Sequence, residues 1–167
     1  QEWCDAVHQT GKKIWFRFHP QNWGNLTAAG AITDLQAYIL ANPTFFQNGD
    51  IFEFYDESHP YLFFNPPDNW NNSTQTWSDW IATMVAALNT TFASLGLSGV
   101  ITTIQSITSS YWTQGDVKSS AITALNNQLC IDYYPLDFAN DPNKGVSVML
   151  NTLYALHATY PTANIII

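Results

Sequence analysis

Residues 49–60, GDIFEFYDESHP, read as a strand with two chemically opposed faces. Phe52 and Phe54 point one way, and Glu53, Tyr55 and Glu57 the other, because successive side chains alternate across a strand. Two carboxylates on one face of an apolar strand restrict the folds open to the chain. Each must be paired, hydrated or kept for use. The segment then runs into His59, Tyr61, Phe63, Phe64 and Trp70. Acid groups at a strand end beside aromatic rings are the ingredients of a site that handles sugars.

Strand-like and helix-like segments alternate along the whole chain. Strands are expected at 12–19, 50–57, 100–107, 129–134 and from 164 onward. Helices are expected at 28–41, 76–95, 116–127 and 146–159. The longest carries Trp77, Trp80, Ile81, Met84, Val85, Leu88, Phe92 and Leu95 at three- and four-residue spacings, which mark its buried face. Repeated units of this length imply a parallel sheet. An open sheet covered by helices should be apolar on both faces. Here Ile14, Phe16 and Phe18 oppose Arg17 and His19, and Ile131 and Tyr133 oppose Asp132 and Tyr134. A barrel accounts for such strands, with apolar residues toward the helices and polar ones lining the upper interior. The α/β class is therefore expected to take the form of a partial (β/α)8 barrel of about five parallel strands. No glycine-rich phosphate turn follows the first strand, which argues against a nucleotide-binding open sheet.

The 167 residues suffice for one domain with a core, here expected to be a single domain over 1–167. The ends read as interior pieces of a larger fold. Residues 1–10 have the pattern of the last turns of a helix closed by Gly11, and 163–167 that of a buried strand. The chain is thus expected to be a segment of a longer polypeptide whose other residues complete the barrel. A net charge of −8 with five basic residues excludes a phosphate backbone as a natural partner. No apolar run is long enough to span a membrane. Only 11% of residues are charged, so Thr, Ser, Asn and Gln must cover the surface. Asn25, Asn71, Asn72 and Asn89 each open a glycosylation acceptor triplet. These features suit an extracellular or cell-surface location. Cys4 and Cys130 could pair, but the apolar strand around Cys130 predicts a buried free thiol there.

Glu57 is the strongest candidate for chemistry. A partly desolvated carboxylic acid at a strand end can deliver a proton to a glycosidic oxygen, or it can pair with Arg17 or His19. Glu53 lies deeper on the same face and is expected to form a structural ion pair with Arg17, the only arginine. Asp132 could bind a sugar hydroxyl or support the interior, with support favoured. His19, Asn22 and Trp23 form a second cluster beyond the first strand, and Trp112 and Tyr134 lie in further loops after strands. Aromatic rings stack on the C–H faces of sugars while amides bond their hydroxyls. No metal-binding spacing and no nucleophilic serine elbow occurs. No cofactor or metal is expected.

Taken as a set, KIWFRFH at 13–19 with Asn22 and Trp23, EFYDE at 53–57 and IDYYP at 131–135 resemble strands three, four and six of a large clan of glycoside hydrolases. These are the retaining (β/α)8 enzymes with catalytic glutamates on strands four and seven. The resemblance spans strands three to seven. It implies that Glu57 is the general acid/base and that His19 and Tyr134 line the subsite of the reacting sugar. Asp56 stands where the clan has the asparagine that contacts the 2-hydroxyl. YPTANIII at 160–167 resembles the approach to strand seven, so the nucleophile would lie outside this chain. The resemblance implies an extracellular retaining glycosidase acting on an oligosaccharide or polysaccharide. The alternative is a non-catalytic protein that binds carbohydrate or takes part in a cell-surface assembly.

Overall fold

The computed structural model describes residues 1–18, 28–54, 74–106, 119–126, 128–131 and 142–166. In chain order these form α1 (Glu2–Gln9), β1 (Trp15–Arg17), α2 (Ala28–Ala41), a 3-10 turn (Pro43–Phe45), β2 (Ile51–Glu53), α3 (Thr74–Ser94), β3 (Ile101–Thr103), β4 (Gln105–Ser106), α4 (Ser119–Ala124), β5 (Gln128–Ile131), α5 (Pro142–Thr159) and β6 (Asn164–Ile166).

Local chemistry sets the helix ends. Glu2 and Asp5 occupy the first turn of α1 and His8 its last, each sign matched to the helix dipole. At the end of α2, the Asn42 side-chain amide donates to the Tyr38 carbonyl at 2.8 Å, and Pro43 prevents the helix from continuing. Helix α3 closes on Gly96 at φ +74, a left-handed conformation that glycine adopts without penalty. The Leu97 amide then reaches back to the Phe92 carbonyl at 2.9 Å.

The alternating strands bury their apolar side under these helices. Phe52, Phe54 and Ile104 have no solvent exposure, and Trp80, Ile81, Met84, Val85, Leu88 and Phe92 of α3 are buried. An aromatic network joins the two layers. Phe52 contacts Phe18, Phe46 and Phe92 with ring centroids 5.0–5.8 Å apart, and Phe54 meets Trp80 at 5.7 Å. Such edge-on and tilted pairs add to the burial of large rings. Helix α3 is the centre of the helical layer, packing against α2 on one side and α4 on the other.

All the strand pairings are parallel, as the alternation of strands and helices predicts, but the expected partial (β/α)8 barrel is not what forms. Among the described residues the strands make two three-stranded sheets, β1-β2-β3 and β4-β5-β6, and no closed barrel. Ile104 is where the chain passes from one sheet to the other. Thr103 pairs with Glu53 of β2, whereas Gln105 pairs with Cys130 of β5. The Thr103 hydroxyl donates to the Ile104 carbonyl at 3.3 Å, a local bond that competes with the regular ladder. A polar strand face therefore does not require a closed cylinder here, because one oxygen of its carboxylate is bonded by two side chains of the neighbouring strand.

Cys4 and Cys130 are both buried, and no disulfide joins them. Asn89 lies on the exposed side of α3, inside a helix. Among the described residues, no helix is long and apolar enough to cross a membrane.

Candidate functional site

The register of the first sheet places Arg17, Glu53 and Thr103 in one row across β1, β2 and β3. This row lies at the C-terminal ends of the strands, where loops of parallel α/β proteins gather ligands. Glu53 is fully buried. Its Oε2 accepts a hydrogen bond of 2.7 Å from the Trp15 indole N–H and one of 3.3 Å from Arg17 Nε. The Arg17 guanidinium also lies over the Trp15 ring, 5.7 Å from its centroid. Indole, guanidinium and carboxylate thus hold one another by two hydrogen bonds and a cation–π contact. The Arg17 side chain keeps 42% of its surface exposed, so its charge reaches solvent while the carboxylate does not.

The expected pairing of Glu53 with Arg17 is present, but the shorter bond comes from Trp15. Alternation puts Trp15, Arg17 and Glu53 on one face, so the geometry was available from the sequence. An indole reads as apolar in a sequence, and its N–H is the part that bonds here. Fully enclosed, Glu53 cannot touch a substrate directly. It fixes the end of β2 immediately before residues 55–57.

A second buried carboxylate lies just before the other end of the same strand. Asp50 Oδ2 accepts from His8 Nε2 at 2.9 Å, and Oδ1 lies 3.1 Å from the same nitrogen. The backbone amides of Ile14 and Gln47 donate to Oδ1 and Oδ2 at 2.9 and 2.8 Å. Both side chains are almost wholly enclosed. His8 reads from the sequence as a surface or packing residue; the structure makes it the partner of Asp50, 42 positions away.

Glu57, His19, Asn22, Trp23, Asp56, Trp112, Tyr134 and Asp132 lie outside the described residues. Among the expected site residues, Arg17 and Glu53 are brought together. Among the described residues, no cluster of His, Cys, Asp and Glu has the composition to hold a metal ion. Comparison with family models, with curated proteins and with solved structures gave no match.

Proposed function

We propose that the chain acts on carbohydrate beyond the C-terminal ends of β1, β2 and β3, as a glycoside hydrolase in which Glu57 is the general acid/base. The observation that supports this reading is the anchored end of β2. Trp15 and Arg17 hold the enclosed Glu53 in one position, and Glu57 follows it by four residues in an aromatic segment. A catalytic acid works only if its backbone is held to within a fraction of an ångström, and a buried charge-assisted cluster directly before it provides such a base.

In this reading the Glu57 carboxylic acid gives its proton to the glycosidic oxygen as the bond to the anomeric carbon breaks. A second carboxylate, which the clan resemblance puts beyond Ile167, attacks that carbon from the opposite face at about 5 Å from the first. Glu57, now ionised, takes a proton from water as that water attacks the anomeric carbon, and the bond to the second carboxylate breaks, releasing the sugar and the ionised carboxylate. His19, Asn22, Trp23, Asp56, Trp112 and Tyr134 supply stacking and hydroxyl contacts. Asp132 supports them. An extracellular or cell-surface location goes with the same reading, supported by the low charge and the glycosylation triplets.

The test compares wild type with Glu57→Gln in the polypeptide that carries this chain in full. Release of reducing ends from a panel of polysaccharides and aryl glycosides is measured beside binding of the same ligands. Loss of about 100-fold or more in rate with binding retained is the expected result. Equal rates in the two proteins would remove Glu57 from the chemistry. Binding without hydrolysis in wild type would instead select a non-catalytic carbohydrate-binding protein of the cell surface.

A further inference from the structure

Asn48-Gly49, in the turn just ahead of β2, is the only Asn-Gly pair in the chain. The fold calls for both members. Gly49 has φ +96, and a Cβ on it would sit 2.9 Å from Lys13 Cε, so a side chain there would be strained twice over. Asn48 is exposed, and its Oδ1 accepts from the Gly99 amide at 2.8 Å. The Gly49 amide in turn donates to the Gly99 carbonyl at 2.8 Å. A Cβ on Gly99 would lie 2.8 Å from Asn48 Cβ, so this close approach depends on glycine.

The same turn closes on Asp50. The Asp50 amide donates to the Gln47 carbonyl at 3.0 Å, and the Gln47 amide donates to Asp50 Oδ2 at 2.8 Å. Residue 48 therefore lies inside a hydrogen-bonded ring. The length of that ring is set by the buried carboxylate, which also accepts from His8 and from the Ile14 amide. Lys13 Nζ donates to the Asn48 main-chain carbonyl at 2.7 Å.

We propose that Asn48 is a site of spontaneous covalent modification, deamidation through a cyclic imide, and that its isoaspartate product loosens the Asp50 cluster. The Gly49 nitrogen attacks Asn48 Cγ. The N–Cγ bond forms, the bond from Cγ to Nδ2 breaks, and Nδ2 leaves as ammonia with the proton from Gly49. Water then opens the imide. Opening at Cγ gives aspartate on an unaltered backbone. Opening at the main-chain carbonyl gives isoaspartate, in which the chain runs through Cβ and Cγ and is one carbon longer. Glycine favours the first step because no side chain shields its nitrogen. Gly99 restrains it, since the attacking N–H and the oxygen on the attacked carbon are both bonded to that residue. The imide forms only when the turn opens from Gly99, a local event that leaves the rest of the fold in place. The aspartate product keeps an acceptor for Gly99 and leaves the ring intact. The isoaspartate product adds an atom to the ring and puts a carboxylate where Lys13 meets a carbonyl, so Gln47 and Asp50 lose their register. None of this rests on the role given to Glu57.

The test is incubation of the full chain at mildly alkaline pH, folded and in concentrated urea, followed by peptide mass spectrometry with electron-transfer fragmentation, which tells isoaspartate from aspartate. Both products are expected at Asn48 in the folded protein. The reaction in urea should be about tenfold faster, the effect of losing one to two hydrogen bonds. Folded protein carrying isoaspartate should show a lower urea midpoint and faster hydrogen exchange at the Gln47 and Ile14 amides. Freshly prepared Asn48→Asp should show neither change. Asn48→Gln, whose longer side chain closes the ring far more slowly, should stay unmodified over the same period. Absence of both products from the folded protein overturns the proposal, and so does an equal rate in urea. Unchanged exchange at Gln47 and Ile14 in the isoaspartate form overturns the link to Asp50. An equal loss in Asn48→Asp does the same, because it would place the effect in the added charge.

Discussion

Two fully buried carboxylates bracket strand β2, Asp50 just before it and Glu53 at its end, and they are held in different ways. Asp50 is surrounded by donors that belong to the framework: one enclosed histidine and two backbone amides. It ties α1, the approach to β1 and the turn before β2 to a single point. Glu53 takes donors from the side chains of Trp15 and Arg17, and Arg17 is partly in water. The first arrangement is closed on every side, and a change to it leaves buried groups unpaired. The second has one partner that solvent can satisfy. In a parallel α/β protein the N-terminal ends of strands hold the fold, while the C-terminal ends are free to carry function. The two carboxylates express that division across one strand.

Asp50→Ala gives the largest expected effect. It strips the acceptor from His8 and from the amides of Ile14 and Gln47 together, leaving enclosed donors with nothing to bond. Breaking a buried pair in this way costs about 3–5 kcal/mol. Urea unfolding followed by far-UV circular dichroism measures it. Glu53→Gln should cost about 1–2 kcal/mol in the same measurement. The amide oxygen can still accept from Trp15, and the released Arg17 head turns to water at little expense. Equal losses for the two variants would break the comparison, making Glu53 as much a part of the framework as Asp50. A Glu53→Gln loss near zero would sharpen it, leaving that carboxylate with a positioning role alone.

The same contrast explains what could be read from the sequence. Helix α2 has the expected bounds, and α3 buries the expected stripe from Trp80 to Phe92, because helical periodicity is a local property repeated over many residues. The two faces of β1 and β2 were likewise legible from alternation. The division into two sheets was not. Residues 100–107 are rich in Ile and Thr and read as one continuous strand, and the passage between sheets at Ile104 depends on pairing partners far away in the chain. Nor could the His8–Asp50 pair be read. A lone histidine on a short helix carries no mark of an aspartate 42 positions later. Charge complementarity suggested Arg17 for Glu53, but the same logic has no way to nominate an indole donor. Polar strand faces imply a barrel only where a polar face must line a lumen. Glu53 shows that such a face can instead be closed by its own neighbours.

The smallest expected effect concerns Tyr38, on the α2 side of the aromatic core. Its pKa is raised above 10.0, first by burial and then by the electrostatic influence of the nearby Cys4. Below pH 10 the phenol is protonated in both folded and unfolded chains and adds no slope to stability. Above it the unfolded chain loses the proton while the folded one keeps it. The unfolded state then binds fewer protons, so stability falls as pH rises from 10 through the raised folded value. Tyr38→Phe should flatten this alkaline decline, and Cys4→Ala should reduce it by a smaller amount, since charge is the lesser cause. The measurement is urea unfolding repeated across the alkaline range. Tyr160, also raised by burial, contributes a decline of the same sign that survives both substitutions. A slope unchanged by Tyr38→Phe would assign the whole alkaline limb elsewhere, and it would remove the electrostatic link between Cys4 of α1 and Tyr38 of α2 from the account of alkaline stability.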